Sequence, residues 1–162
     1  MTGLEIERKF LIKMPNNIDE LCQEKERIIQ TYLIGNDSER VRKITSGSEE
    51  KYTHTVKVTI TSATRIESEH GITRQEYENY LLRRDNERVD IDKVRYRLEH
   101  RGKVFEIDVY PFWTEVAVME VELSSEDETI DMPGQIEIIR EITNDKRFSN
   151  SSIAKRIPEL DF

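Results

Sequence analysis

In six short stretches this chain sets charged residues two apart around an apolar one. They are Glu5-Ile6-Glu7 (continuing to Lys9), Arg40-Val41-Arg42, Glu76-Tyr77-Glu78, Arg95-Tyr96-Arg97, Glu106-Ile107-Asp108 and Glu120-Val121-Glu122. Residues i and i+2 of an extended strand share a face, so each stretch presents its charges on one side and its apolar residue on the other. Each stretch is also mostly of one sign: acids in some strands, bases in others. Anions need cations and metals need carboxylates. Strands of both kinds facing one space would therefore build a site for a metal–polyanion complex.

A chain of 162 residues is most simply one domain spanning 1–162, long enough for a continuous core but short for two. Apolar residues make up 36% of it and charged residues another 36%, so apolar surface must be used economically. Disorder is a poor reading, because β-branched and aromatic residues fall in regular strand-like runs. The acidic excess, 33 Asp and Glu against 25 Lys and Arg, disfavours nonspecific association with nucleic acid or a membrane surface. Cys22 is the one cysteine, so no disulfide can form within the chain, and a reducing cytoplasm fits best. The first residues, Met1-Thr2-Gly3-Leu4-Glu5, lack the basic and apolar regions of a secretion signal. No run approaches the roughly 20 apolar residues of a membrane-spanning helix. His54, His70 and His100 show no metal-ligand spacing.

Period-two alternation predicts strands at 4–13, 28–34, 39–44, 52–61, 72–82 (with a helix as the alternative for its later part), 88–100, 104–110 and 115–123. The Ser46-Gly47-Ser48 turn suggests a hairpin, and 62–71 reads as a loop. Residues 18–26, 125–131 and 151–157 are short-helix candidates, while 135–142 is ambiguous between helix and strand. Strands joined this closely imply an antiparallel, β-rich α+β fold rather than a parallel sheet with long crossovers.

Two arrangements satisfy that pattern. An open sheet would turn its charged face to water, where ion pairs stabilise by only about 0–1 kcal/mol each. A closed sheet of about eight strands would surround a wet interior with the same charges and remove open edges. The closed version is electrostatically demanding, since unit charges 4 Å apart interact by about 4 kcal/mol at an effective dielectric near 20. Carboxylates, divalent cations and a phosphate chain together would offset the crowding. Oxygen-only ligation favours Mg²⁺ or Mn²⁺ over zinc.

The opening Glu5-Ile6-Glu7-Arg8-Lys9-Phe10-Leu11 carries the ExExK signature, and here the chain resembles the CYTH proteins, also called triphosphate tunnel metalloenzymes. The likeness continues through Arg40-Val41-Arg42, Thr55-Val56-Lys57, Arg74-Gln75-Glu76-Tyr77-Glu78, Lys93-Val94-Arg95-Tyr96, Phe105-Glu106-Ile107-Asp108 and Met119-Glu120-Val121-Glu122. It ends in Thr143-Asn144-Asp145-Lys146-Arg147-Phe148-Ser149-Asn150, giving ordered coverage of nearly the whole chain.

The resemblance implies a closed eight-stranded antiparallel tunnel-like barrel with flanking helices, binding a small triphosphate with Mg²⁺ or Mn²⁺. By position, Glu5, Glu7, Glu106, Asp108, Glu120 and Glu122 are the metal-facing acids, and Lys9, Arg40, Arg42, Lys57, Lys93 and Arg95 the phosphate-facing bases. Lys9 and Tyr32 match a lysine–tyrosine pair that one branch of the family uses near the reacting phosphate. Glu76, Glu78, Arg97, Arg147 and Lys155 match less securely, and no role is assigned to them. The segment 80–92 is short for one that often contains a helix, which predicts a short hairpin or a single helical turn. Compact bacterial members are inorganic triphosphatases, so hydrolysis of tripolyphosphate to pyrophosphate and phosphate is the leading expectation. Thiamine or nucleoside triphosphate hydrolysis, adenylate cyclisation and noncatalytic polyphosphate binding are the alternatives. The partner is a small molecule, with neither nucleic acid nor membrane, and the resemblance is consistent with a homodimer.

Overall fold

The computed structural model describes residues 2–160. Its strands are β1 (Thr2–Lys13), β2 (Glu24–Tyr32), β3 (Arg40–Ser46), β4 (Glu49–Thr59), β5 (Thr64–Ile72), β6 (Ile91–His100), β7 (Lys103–Val109), β8 (Val116–Glu122) and β9 (Ile138–Glu141). Every pairing is antiparallel, in the order β5-β4-β3-β2-β6-β7-β8-β1. The β5–β1 pairing, Thr2↔Ser68 to Ile6↔Thr64, then closes the ring into an eight-stranded barrel. β1 serves two neighbours along one edge. It pairs with β5 as far as Ile6 and with β9 from Phe10 onward.

Tight turns carry the hairpins. Arg101 and Gly102 both have positive φ (48° and 79°) between β6 and β7, the mirror-image turn whose twist matches the flanking strands. Gly47 at φ 59° reverses the chain between β3 and β4.

Alternation divides each strand between two environments. Outward apolar residues of β1, β6, β7 and β8, including Phe10, Ile12, Leu98, Ile107, Met119 and Val121, form a core under Ile18 and Leu21 of α1 (Ile18–Leu21) and under Ile130, Met132 and Ile136. Cys22 is buried there, and burial pushes its thiol pKa up, as suits an inert packing residue. On the opposite wall α2 (Arg74–Leu81) packs Tyr77, Tyr80 and Leu81 over Leu33, Val41 and Tyr52. A third cluster lies inside. Leu11, Tyr32, Tyr110, Val116 and Val118 continue the inward faces of their strands and meet Phe148 and, on α3 (Asn150–Ile153), Ile153. One end of the barrel interior is thus filled with apolar side chains, and the rest is left to charge.

Two expectations about local structure are corrected. Of 72–82 only Ile72 is strand, and the helical alternative holds for Arg74–Leu81, because Thr73 caps a helix with a reciprocal box: its side chain accepts from the Glu76 amide while Glu76 accepts from the Thr73 amide. Glu76 and Glu78 therefore lie on an exposed helix, away from the barrel interior. The supposed loop at 62–71 is largely β5, the strand that closes the barrel. Smaller differences occur elsewhere: the first helix stops at Leu21, where β2 takes over from Glu24, and 125–131 is turn rather than helix.

Phe148, only 1% exposed, contributes a large part of the plug. Phe148→Ala is expected to cost about 3–5 kcal/mol in urea unfolding. A loss below about 1 kcal/mol would mean the plug collapses freely around the gap.

Candidate active site

The charged part of the interior is a cavity of about 880 Å³. Acids and bases enter it from different arcs. β1, β7 and β8 contribute Glu5, Glu7, Glu106 and Glu120, and β3 and β4 contribute Arg40, Arg42 and Lys57. Lys9, Tyr32 and Arg95 also line the space. Nine of the twelve residues expected to hold metal or phosphate therefore converge on one cavity. The other three stand apart. Glu122 ends β8 and its side chain is exposed; Lys93 and Asp108 are almost wholly buried and paired with each other at 2.8 Å.

Arg97 lines the cavity, pairing with Glu26 at 2.8 Å and Glu106 at 3.5 Å. Arg147 is half-exposed beside Asp145 at 2.7 Å, and Lys155 is exposed near Asp37 at 3.8 Å.

β5 adds what sequence reading missed. Arg65, Glu67 and Glu69 alternate along it and all face the cavity. Arg65 pairs with Glu7 at 2.8 Å, Glu67 with Lys57 at 3.3 Å, and Glu69 with Arg42 at 3.8 Å. The available signal was Glu67-Ser68-Glu69, the same i, i+2 pair with serine in place of an apolar residue. Serine suffices because that stretch of outer wall is only partly covered, with Ile66 41% exposed.

Burial sets the protonation states. Glu5 is pushed up to about 8, chiefly by burial and then by a hydrogen bond with Glu67. Burial also opposes charge on Glu67, but that hydrogen bond and the nearby Lys57 and Arg40 bring it down to about 2. The pair thus shares one proton, with Glu5 the favoured side. Burial likewise raises Glu7, aided by the charge on Glu120. Glu120 itself stays well below the usual carboxylate range, since Lys9, at 3.3 Å, and Arg95 outweigh its burial. On the basic side, burial and neighbouring Arg40 and Arg95 lower Arg42 to about 10. Lys93 falls to about 7, mainly from burial, with Asp108 opposing the drop. Asp108 also accepts from Arg95 at 2.8 and 3.0 Å, so the sealed Lys93–Asp108 pair fixes Arg95 from behind.

Three residues that line the cavity, Arg40, Glu5 and Thr53, each have a buried side-chain atom without a hydrogen-bond partner, and the two charged ones are of opposite character. Arg40 Nε is an unmet donor, and Glu5 Oε2 has Lys57 at 3.7 Å, too far for a hydrogen bond. Unmet polar atoms are rare in protein interiors because each forfeits its solvation. In addition Glu106 lies directly across from Glu120, a like-charge pairing that disfavours the sheet. Hard carboxylate oxygens with an unmet lone pair and a facing like charge suit Mg²⁺ or Mn²⁺. Among the described residues no three such ligands already form a closed set, because Lys9, Lys57 and Arg65 engage these carboxylates.

Similarity to solved structures gives this geometry a family. The chain is 30% identical to the inorganic triphosphatase NE1496, covering 96% of this chain and 100% of that one with a TM-score of 0.57. The chain belongs to the CYTH, or triphosphate tunnel metalloenzyme, family. More distant likenesses show the fold alone: the PH1819 protein of Pyrococcus horikoshii (19% identity, 76% of this chain and 81% of that one, TM-score 0.53) is one. A putative adenylate cyclase from Bacillus halodurans is another, at 15% identity, 77% and 83% coverage and a TM-score of 0.51. No family profile matches the chain, and no curated protein does. No helix among the described residues is long and apolar enough to cross a membrane.

The Glu5 proton has a measurable consequence. The native state keeps it between about pH 4.5, the ordinary value, and about pH 8, whereas the unfolded chain has lost it. Stability from this group therefore falls as pH rises through that window. Glu67, depressed to about 2, contributes stability that is lost only below about 4.5. In thermal melts with chelator, Glu5→Gln should flatten the decline in Tm between those limits. An unchanged slope would remove the shared proton from Glu5.

Proposed function

We propose that this CYTH protein hydrolyses inorganic triphosphate to pyrophosphate and phosphate with Mg²⁺ or Mn²⁺. The observation that carries the reading is the pair of unmet atoms, Arg40 Nε and Glu5 Oε2, in one cavity. A cation-bound triphosphate satisfies both, its oxygens accepting from the guanidinium and its cation meeting the carboxylate. The full-length likeness to a protein described as an inorganic triphosphatase supports the choice of substrate.

In this reading Glu5, Glu7, Glu106 and Glu120 would hold the cation, with Glu67 beside them. The ion supplies charge neutralisation to nonbridging phosphate oxygens. Arg40 and Arg42 present planar donor forks to the phosphate chain, while Lys57 and Lys9 act as more mobile charges. Arg95, held by Asp108, gives the chain a rigid contact on the far wall. Substrate arrival would draw Lys9 and Lys57 from their carboxylate partners toward phosphate and release those oxygens for the cation.

Lys9 and Tyr32 orient the reacting end. Attack by water on the terminal phosphorus forms one P–O bond and breaks the bridging one. The water oxygen and its displaced proton end on orthophosphate and its surroundings, and the electron pair stays on pyrophosphate. Positioning and charge stabilisation are the dominant contributions the protein can make to such a transfer.

Tripolyphosphate, ATP and thiamine triphosphate, each supplied with Mg²⁺ and with Mn²⁺, discriminate the options when products are resolved. Orthophosphate and pyrophosphate from tripolyphosphate are expected. Cyclic AMP from ATP would overturn the reading, and tight binding without turnover would make the protein a binding module. Lys9→Ala should lower kcat by about 10²–10³-fold while the fold, followed by circular dichroism, is retained. Turnover near wild type in that variant would end the role given to Lys9.

A further inference from the structure

Gln30 sits on β2 with no exposed surface, two residues before Tyr32 and directly opposite Arg42 on β3. Its amide bridges them. Arg42 Nε donates to Gln30 Oε1 at 2.6 Å, and Gln30 Nε2 donates to Tyr32 Oη at 2.7 Å. A guanidinium has donors only, so the amide oxygen has to face Arg42 and the NH₂ group has to face the phenol. The phenol oxygen is thereby made an acceptor toward Gln30, and its own proton is left to point elsewhere. Among the described residues the Tyr32 hydroxyl makes no other hydrogen bond, and Tyr32 lines the cavity.

The ring cannot easily turn away. Arg88 lies over it, 4.6 Å from the ring centroid, and is itself held by Asp85 at 2.8 Å and by the carbonyls of Asp37 and Leu33 at 2.7 and 3.1 Å. The arrangement is therefore a buried relay, Arg42 to Gln30 to Tyr32, ending on a residue that lines the cavity.

We infer that Gln30 is a positioning residue that fixes Tyr32 as a hydrogen-bond donor to a phosphate oxygen, and not as a base toward water. This deepens the triphosphatase reading and rests on it. Arg42 polarises the amide, the amide N–H polarises the phenol, and bonds in such a chain strengthen one another. A phenol that already accepts one hydrogen bond gives its own proton more strongly. The relay also ties a phosphate-facing guanidinium to the group beside the reacting end, so the two keep a fixed spacing.

Gln30→Glu is the informative change because it is nearly isosteric. The carboxylate still accepts from Arg42, but it also accepts from Tyr32 and so reverses the phenol's bond. With tripolyphosphate, kcat is expected to fall about 10²–10³-fold, the scale of one lost transition-state donor, while KM stays near wild type. In a Tyr32→Phe background the same change should have little further effect on kcat, since residues acting through one group are not additive. Gln30→Met, which removes both bonds, should raise KM as well by loosening Arg42.

A second readout is independent of turnover. The Raman Fermi doublet of tyrosine distinguishes a phenol that accepts from one that donates, and subtracting the Tyr32→Phe spectrum isolates Tyr32. Wild type should give the acceptor pattern and Gln30→Glu the donor pattern. An unchanged doublet, or an equal loss of kcat in the Tyr32→Phe background, would overturn the relay. Wild-type protein that releases no phosphate would instead overturn the triphosphatase reading, and the inferred contact to substrate with it, even where the doublet behaves as expected.

Discussion

The whole structure depends on confining charged side chains inside a closed sheet. A carboxylate or guanidinium taken out of water loses solvation worth several kcal/mol, and only a matching charge or a ligand compensates. The barrel meets this condition pair by pair. Glu7 has Arg65, Glu120 has Lys9, Asp108 has Lys93 and Arg95, and Lys57 has Glu67. Where pairing falls short, protonation makes up part of the difference: Glu5 keeps a proton up to about pH 8. Arg40 Nε and Glu5 Oε2 remain unmet even so. The interior is balanced closely enough to fold and loosely enough to exchange internal partners for external ones.

The apolar plug makes that arrangement durable. Charges occupy only part of each inward face; Leu11, Val118 and Tyr110 continue the faces that carry Lys9, Glu120 and Asp108. The strands are therefore anchored at one end by packing with Phe148 and Ile153, while the other part of the interior stays polar. Outside, α1 with the 130–136 segment and α2 cover much of the wall but leave bare the part of the β4–β5 face where Val58 and Ile66 are 59% and 41% exposed. Stability is concentrated away from the cavity. The cavity walls can then be selected for chemistry.

Much of this was legible because strand periodicity is strict. Same-sign pairs flanking an apolar residue on a strand brought Glu5, Glu7, Arg40, Arg42, Arg95, Glu106 and Glu120 to the cavity, whereas Glu122, at the exposed end of β8, stays outside it. The rule misled at Glu76 and Glu78, where the Thr73 capping box gave the backbone a better local alternative and turned the same spacing onto a helix. It was silent at Arg65, Glu67 and Glu69, where mixed signs and an intervening serine hid a strand that pairs on both sides. It also had no means of grading depth. Lys93 and Arg95 look alike in sequence, yet one is sealed against Asp108 and the other reaches the cavity.

The order of residues alone determined that charges and apolar groups would part to opposite sides of antiparallel strands, because a two-residue repeat leaves an extended chain no other choice. Whether those charged sides would face bulk water or each other was decided by ring closure between β1 and β5, a contact between segments some sixty residues apart. So too was the link from Arg42 through Gln30 to Tyr32, which needs two strands in one register. Such features depend on distance in space, and periodicity along a chain carries no record of that.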